Sequence, residues 1–111
     1  DRSVVISWDS LGDRLAGTDY FLSRFPDTPT RAAIRDRRTL YLRAYLTGGD
    51  SVAVFARGRG QLQSEPRASY ERYLTLHGTT TSAAVVRRYL RLLAASNYRR
   101  SPAVLRFLQR L

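Results

Sequence analysis

Residues 68–93 decide the expected fold, and they read ASYERYLTLHGTTTSAAVVRRYLRLL. The first part has a helical pattern, and His77-Gly78 closes it because glycine is favoured at the end of a helix. Thr81 or Ser82 then supplies a hydroxyl that can cap a second helix, which we predict over residues 82–95. Apolar residues recur on one broad side of that helix, namely Val85, Val86, Tyr89, Leu90, Leu92 and Leu93. The stretch therefore predicts two consecutive amphipathic helices joined by a polar turn.

Three more helices are predicted outside this stretch, each from a local start signal. One begins at a cap formed by Asp9 or Ser10. Its apolar face comprises Leu11, Leu15, Leu22 and Phe25. Another begins at Thr28-Pro29, because proline suits the first position of a helix, and it stops at Gly48-Gly49. The last begins at Ser101-Pro102 by the same logic and runs to the end of the sequence.

Short β-branched runs predict strands in the N-terminal half. Residues 3–8 (SVVISW) and 51–56 (SVAVFA) favour extended backbone. Arg57-Gly58-Arg59-Gly60 is expected to turn the second strand into a weaker third one over residues 61–63, before Pro66 opens the next helix. The expected fold class is therefore α+β, a predominantly helical domain with a small two- or three-stranded sheet and a C-terminal helical half.

Composition bounds the class of protein. The chain has 111 residues, is 43% hydrophobic and 25% charged, and we expect one domain of the globular type. Its near-neutral part is 1–63 and its basic three-helix part is 64–111. The absence of cysteine excludes a disulfide scaffold, and no apolar run approaches the ~18 residues of a membrane span. We expect a cytoplasmic protein without a cofactor. Since the sequence contains no methionine, even at position 1, we expect an excised fragment or a processed product.

The charge is distributed unevenly. Glu71 is the last acidic residue, and the forty residues after it carry eight arginines. Nearly all of the formal net charge of +10 therefore lies in the second half, which is typical of a protein that binds nucleic acid. All nineteen basic residues are arginine. Codon usage in a GC-rich genome explains this, but so does selection for the guanidinium fork that binds phosphate and guanine, and so does avoidance of lysine modification in a host cell.

Residues 68–93 resemble a helix-turn-helix segment of the DNA-binding and winged-helix type. The resemblance implies that residues 82–91 form a recognition helix. Arg87 stands nine positions after the turn glycine, where an apolar residue is usual, and Leu74 stands where alanine is usual. These departures imply a turn longer than in the simplest members. The residues expected to contact nucleic acid are Thr80, Thr81, Ser82, Arg87, Arg88 and Arg91, with backbone contacts from Arg57, Arg59, Arg99 and Arg100. An ordinary pair of core helices with a solvated arginine face is the alternative.

A catalytic site is the weaker hypothesis. His77 is the only histidine, and Glu71 lies six residues before it, so the two could serve as acid and base in a toxin-like nuclease. A histidine at a helix end otherwise acts as a favourable cation. The aspartates near the N terminus suit capping positions rather than a metal site. Most tyrosines lie at helical spacing and are expected in the core, while Tyr98 is the candidate for stacking on a base.

From these patterns we expect a non-enzymatic module that binds nucleic acid, with duplex DNA as the partner. It would belong to a bacterial regulator, partition or replication-accessory protein, or to a mobile element. The alternatives are a toxin-like nuclease domain of a larger secreted protein and an arginine-rich module that binds an acidic protein. No membrane partner is expected.

Overall fold

The computed structural model describes residues 7–48, 55 and 60–111, and five α-helices account for most of them. They are α1 (Trp8–Arg24), α2 (Arg31–Thr47), α3 (Ser64–His77), α4 (Thr81–Ala95) and α5 (Pro102–Gln109). Helix α1 packs mainly on α2 and α3, and α4 lies between α3 and α5. Within the described residues the fold is all-helical.

The predicted α+β class is wrong for these residues. Trp8, the last residue of the first predicted strand, is instead the first residue of α1. Ser7 rather than Asp9 or Ser10 caps that helix, because its side chain accepts the backbone N–H of Ser10 at 3.1 Å. A serine cap thus extends the helix into a run that β propensity alone assigned to a strand. Residues 3–6 of that strand lie outside the described residues.

The predicted hairpin is reduced to isolated bridges. Of residues 51–56 only Phe55 is described, and it forms a single antiparallel bridge with Leu62. The Leu62 N–H donates to the Tyr98 carbonyl at 2.7 Å and Gln61 bridges to Arg99, so these two residues pair with the α4–α5 loop rather than forming a third strand. Helix α3 starts directly after this short pairing, two residues before Pro66.

Several predicted helix ends are confirmed. Helix α2 ends at Gly48, whose φ of 89° is the left-handed conformation that glycine adopts at low cost. Helix α5 begins with the predicted Ser101 cap, which accepts the Val104 N–H, followed by Pro102 at the first position. The start of α2 differs, since the helix begins at Arg31 after a Thr30 cap.

Four fully buried tyrosines form the centre of the core: Tyr45, Tyr70, Tyr73 and Tyr89. Their rings meet at centroid distances of 5.0 to 5.8 Å. Tyr70 and Tyr89 donate to the carbonyls of Tyr45 and Leu46, which lie in the last turn of α2 and lack partners within that helix. Burial raises the pKa of Tyr73 to about 12, and it also raises the pKa of the other three. These tyrosines are therefore core residues, as predicted from their spacing.

Candidate nucleic-acid interface

The connection between α3 and α4 is a turn of three residues, Gly78 to Thr80. This is the length of a helix-turn-helix connection, so the longer turn that we predicted is wrong. Thr80, one residue before the two predicted caps, accepts the Ala83 N–H and donates to the His77 carbonyl at 2.8 Å. A Cβ at Gly78 would lie 2.5 Å from the Leu74 carbonyl oxygen. The tight turn therefore requires glycine at this position.

The N-cap and the first turn of α4 are partly buried. Thr80 and Ser82 are buried, whereas Thr81 is exposed. The Asp19 carboxylate, contributed by α1, accepts the Ser82 N–H at 2.8 Å. It thus occupies the position where a helix N-terminus would bind a phosphate. Of the three hydroxyl residues predicted to contact nucleic acid, only Thr81 presents its side chain to solvent.

The arginine face is the exposed surface formed by α4 and α5, and it comprises Arg87, Arg88, Arg91, Arg106 and Arg110. The three arginines of α4 lie on consecutive turns beside Ala84, which is also exposed. Of the arginine face, Arg88, Arg106 and Arg110 line a groove of about 560 Å³. Its floor is apolar and includes Val85, Leu92 and Phe107. The sequence periodicity correctly placed the arginines of α4 opposite the core.

Across the part of the chain that the structure describes, no carboxylate lies within ion-pair distance of the arginine face. Arg87 donates to the Gly78 carbonyl at 3.2 Å, and the Arg88 guanidinium lies 6.0 Å from the centroid of the Phe107 ring. Arg99 and Arg100 are also exposed, in the loop before α5. The charge of this surface is therefore not neutralised by these residues.

Three other residues predicted to contact nucleic acid, Arg57, Arg59 and Tyr98, are not part of the arginine face. Arg57 and Arg59 lie outside the described residues. Tyr98, the candidate for base stacking, is half-buried, and the Arg67 guanidinium lies 3.6 Å from its ring centroid. One face of the ring is thus already covered by a cation. Stacking at Tyr98 would require Arg67 to leave or the opposite ring face to be used.

The predicted Glu71–His77 pair is not formed. Six residues along a helix correspond to a rotation of about 240°, so the two side chains leave α3 in different directions. Glu71 instead lies 3.7 Å from Arg67 on the same helix. The partners of His77 come from α1: its Nδ1 lies 2.8 Å from the Tyr20 hydroxyl, and its Nε2 lies 2.9 Å from an Asp13 oxygen.

Asp13 orients the His77 ring. An ionised carboxylate only accepts, so Nε2–H donates to Asp13, and in the neutral ring Nδ1 accepts from Tyr20. Arg72 also donates to Asp13 at 3.2 Å. The hydrogen bond from His77 and the neighbouring Arg72 lower the pKa of the Asp13 carboxyl, and partial burial opposes them. Sequence spacing gave no signal for this contact, because Asp13 and His77 are 64 residues apart.

The described residues contain neither a metal site nor a membrane-spanning helix. The described residues hold no group of histidine, aspartate and glutamate side chains that could bind a metal ion. None of their helices is long and apolar enough to cross a membrane. Comparisons of the chain with protein-family models, with curated proteins and with solved structures gave no match.

Proposed function

We propose that this protein is a non-enzymatic module that binds duplex DNA through the arginine face. The observation that carries the proposal is the set of five exposed guanidinium groups on α4, on α5 and at the residue after α5, without a carboxylate partner among the described residues. Guanidinium groups bind phosphate oxygens with two parallel hydrogen bonds. Release of the counterions condensed on DNA then supplies most of the binding free energy.

The proposed contact uses the middle of α4 rather than its first turn. Asp19 already accepts the Ser82 N–H, so this N–H is not available to a DNA phosphate. Arg87, Arg88 and Arg91 lie in the middle of α4 and are exposed, so they can contact one DNA backbone together. Contacts to phosphate carry no sequence information by themselves. We therefore expect modest sequence preference, as suits an accessory role in replication or partition more than that of a site-specific regulator.

A salt titration against three nucleic acids tests the proposal. With about five arginine–phosphate contacts, the slope of log K against log salt should be about −4.5, so affinity for duplex DNA should fall roughly 500-fold between 50 and 200 mM salt. Single-stranded DNA and RNA of equal length should bind more weakly, because a duplex has the higher charge density, about one phosphate per 1.7 Å of helix axis. A flat salt response, or a preference for single strands, would overturn the proposal.

Cleavage of phosphodiesters is a second candidate, favoured by one observation. His77 lies between a hydroxyl and a carboxylate, an arrangement that orients an imidazole for proton transfer. Incubating the nucleic acids above with the protein and analysing the products tests it. Loss of a cleavage activity in both His77→Ala and Asp13→Asn, with Glu71→Gln unaffected as the control, would establish this function. We expect no cleavage, because His77 and Arg72 both bond to Asp13, as in an ion pair that joins α1 to α3.

A further inference from the structure

A second group of arginines lines a separate pocket on the other side of the first turn of α4. Arg31, Arg35 and Arg38 follow one another on α2 at spacings of four and three residues, which places them on one face of the helix. Together with parts of α1 and with Thr81 they line an open pocket of about 420 Å³. This lies within the ~300–1,000 Å³ range of small-molecule sites. The pocket shares no lining residue with the groove of the arginine face.

Two of these guanidinium groups are held in place by the protein. Arg31 donates to the Pro26 carbonyl at 2.8 Å, and Arg38 donates to Asp19 at 3.2 Å. The Asp19 side chain is only 3% exposed and is fixed in turn by the Ser82 N–H. A guanidinium carries five N–H donors, so both arginines retain several for a ligand. Their positions are thus set before any ligand binds.

Arg35, the third arginine of the pocket, differs from the other two in its bonding. Its guanidinium forms no ion pair with any carboxylate in the described ranges. The hydroxyls of Ser23 and Thr81 also line the pocket. Three guanidinium groups against the single carboxylate of Asp19 leave two net positive charges.

We propose that this pocket binds a phosphate monoester. A monoester carries a charge near −2 at neutral pH and several strong acceptor oxygens, which matches both the net charge and the donors of the lining. A phosphodiester carries a single negative charge and leaves the pocket only half neutralised. The monoester could be the 5′ end of a nucleic acid strand or a free phosphorylated small molecule, since both present the same group.

Arg35→Gln is the test variant, because Arg35 is the pocket arginine whose side chain makes no structural bond described above. Arg37→Gln is the matched control: it removes the same charge from the same helix, and Arg37 lies outside the pocket. Inorganic phosphate should bind the unaltered protein and Arg37→Gln alike, measured by calorimetry. Arg35→Gln should lose about tenfold in affinity or more, since it removes a charge-assisted hydrogen bond. Equal affinity in the two variants would overturn the proposal.

Two further ligands test whether the pocket prefers a phosphate monoester and whether that monoester is a strand end or a free small molecule. A 5′-phosphorylated oligonucleotide should bind more tightly than its 5′-hydroxyl counterpart, and the difference should disappear in Arg35→Gln. If the two oligonucleotides bind equally, the monoester assignment fails. A mononucleotide that matches the phosphorylated oligonucleotide in affinity points to a free small molecule, and a weaker one points to a strand end. Replacing Arg87, Arg88 and Arg91 by glutamine should leave phosphate binding unchanged, so this inference can fail or stand independently of the proposed DNA binding.

Discussion

Individual arginines have two different roles in the described part of this protein. On the α1–α3 side, Arg38 and Arg72 bond to the aspartates of α1 and thereby hold the helices together. On the α4–α5 side, Arg88 and Arg106 border an open groove with no carboxylate partner in the described part of the chain. Net charge alone does not distinguish the two uses. The fold decides which arginines stabilise the protein and which remain available to a partner.

Among the residues whose ion pairs join α1 to α2 and α3, Asp19 should be the most important for stability, so Asp19→Ala should give the largest loss. It removes a buried carboxylate and leaves both Arg38 and the Ser82 N–H without their partner. Breaking a buried ion pair in this way costs about 3 kcal/mol or more in the free energy of unfolding, measured by chemical denaturation. Asp36→Asn, an exposed carboxylate on α2, should change it by less than about 0.5 kcal/mol. A similar small effect for both variants would show that Asp19 does not anchor α4.

Two glycines of α1 test how closely this helix packs against α2. A Cβ at Gly12 would lie 2.9 Å from the buried Tyr45 hydroxyl, whereas a Cβ at Gly17 would meet no atom within 4 Å. Gly12→Ala should therefore destabilise the protein by roughly 1–3 kcal/mol through overpacking. Gly17→Ala should raise the melting temperature, since alanine is better in a helix by about 0.5–1 kcal/mol. Equal effects of the two substitutions would contradict the described packing of α1 on α2.

The exposed ion pair between Asp13 and Arg72 should contribute least to the free energy of unfolding, and its contribution should depend on pH. Because the folded-state pKa of Asp13 is lowered, its stabilising effect is full above the unfolded pKa and is lost as the pH falls through the folded pKa. Asp13 is about half exposed, so this effect should be no more than about 1 kcal/mol. Unfolding free energies of the unaltered protein and of Asp13→Asn should differ at pH 7 and converge from about pH 5 downward. A constant difference across that range would exclude this role for the carboxylate.

Local signals in the sequence predicted much of the helical structure. The cap at Ser101-Pro102 and the stop at Gly48 depend on neighbouring residues only, so both could be located without the fold. The periodicity of α4 likewise indicated which of its arginines are exposed. The prediction of the first strand is wrong at Trp8, because the Ser7 cap, which is also a local signal, outweighs the β propensity of this run.

The remaining features depend on contacts between distant parts of the chain. Asp19 caps α4 from 63 residues away, and Tyr98 pairs with Leu62 across the length of two helices. Neither contact has a signature in the spacing of nearby residues. The same holds for His77, whose partner Asp13 could be identified only once α1 and α3 were seen to pack together.

Two charge-matched triple variants test the central claim most directly, by the salt dependence of duplex DNA binding. Arg87, Arg88 and Arg91 change to glutamine in one, and Arg14, Arg24 and Arg37, which are exposed on α1 and α2, change to glutamine in the other. Both lose three positive charges. We predict that the slope of log K against log salt falls from about −4.5 to about −1.8 in the α4 variant and stays near −4.5 in the other. Equal slopes in the two variants would mean that DNA responds to net charge alone, and the arginine face would not be the binding site.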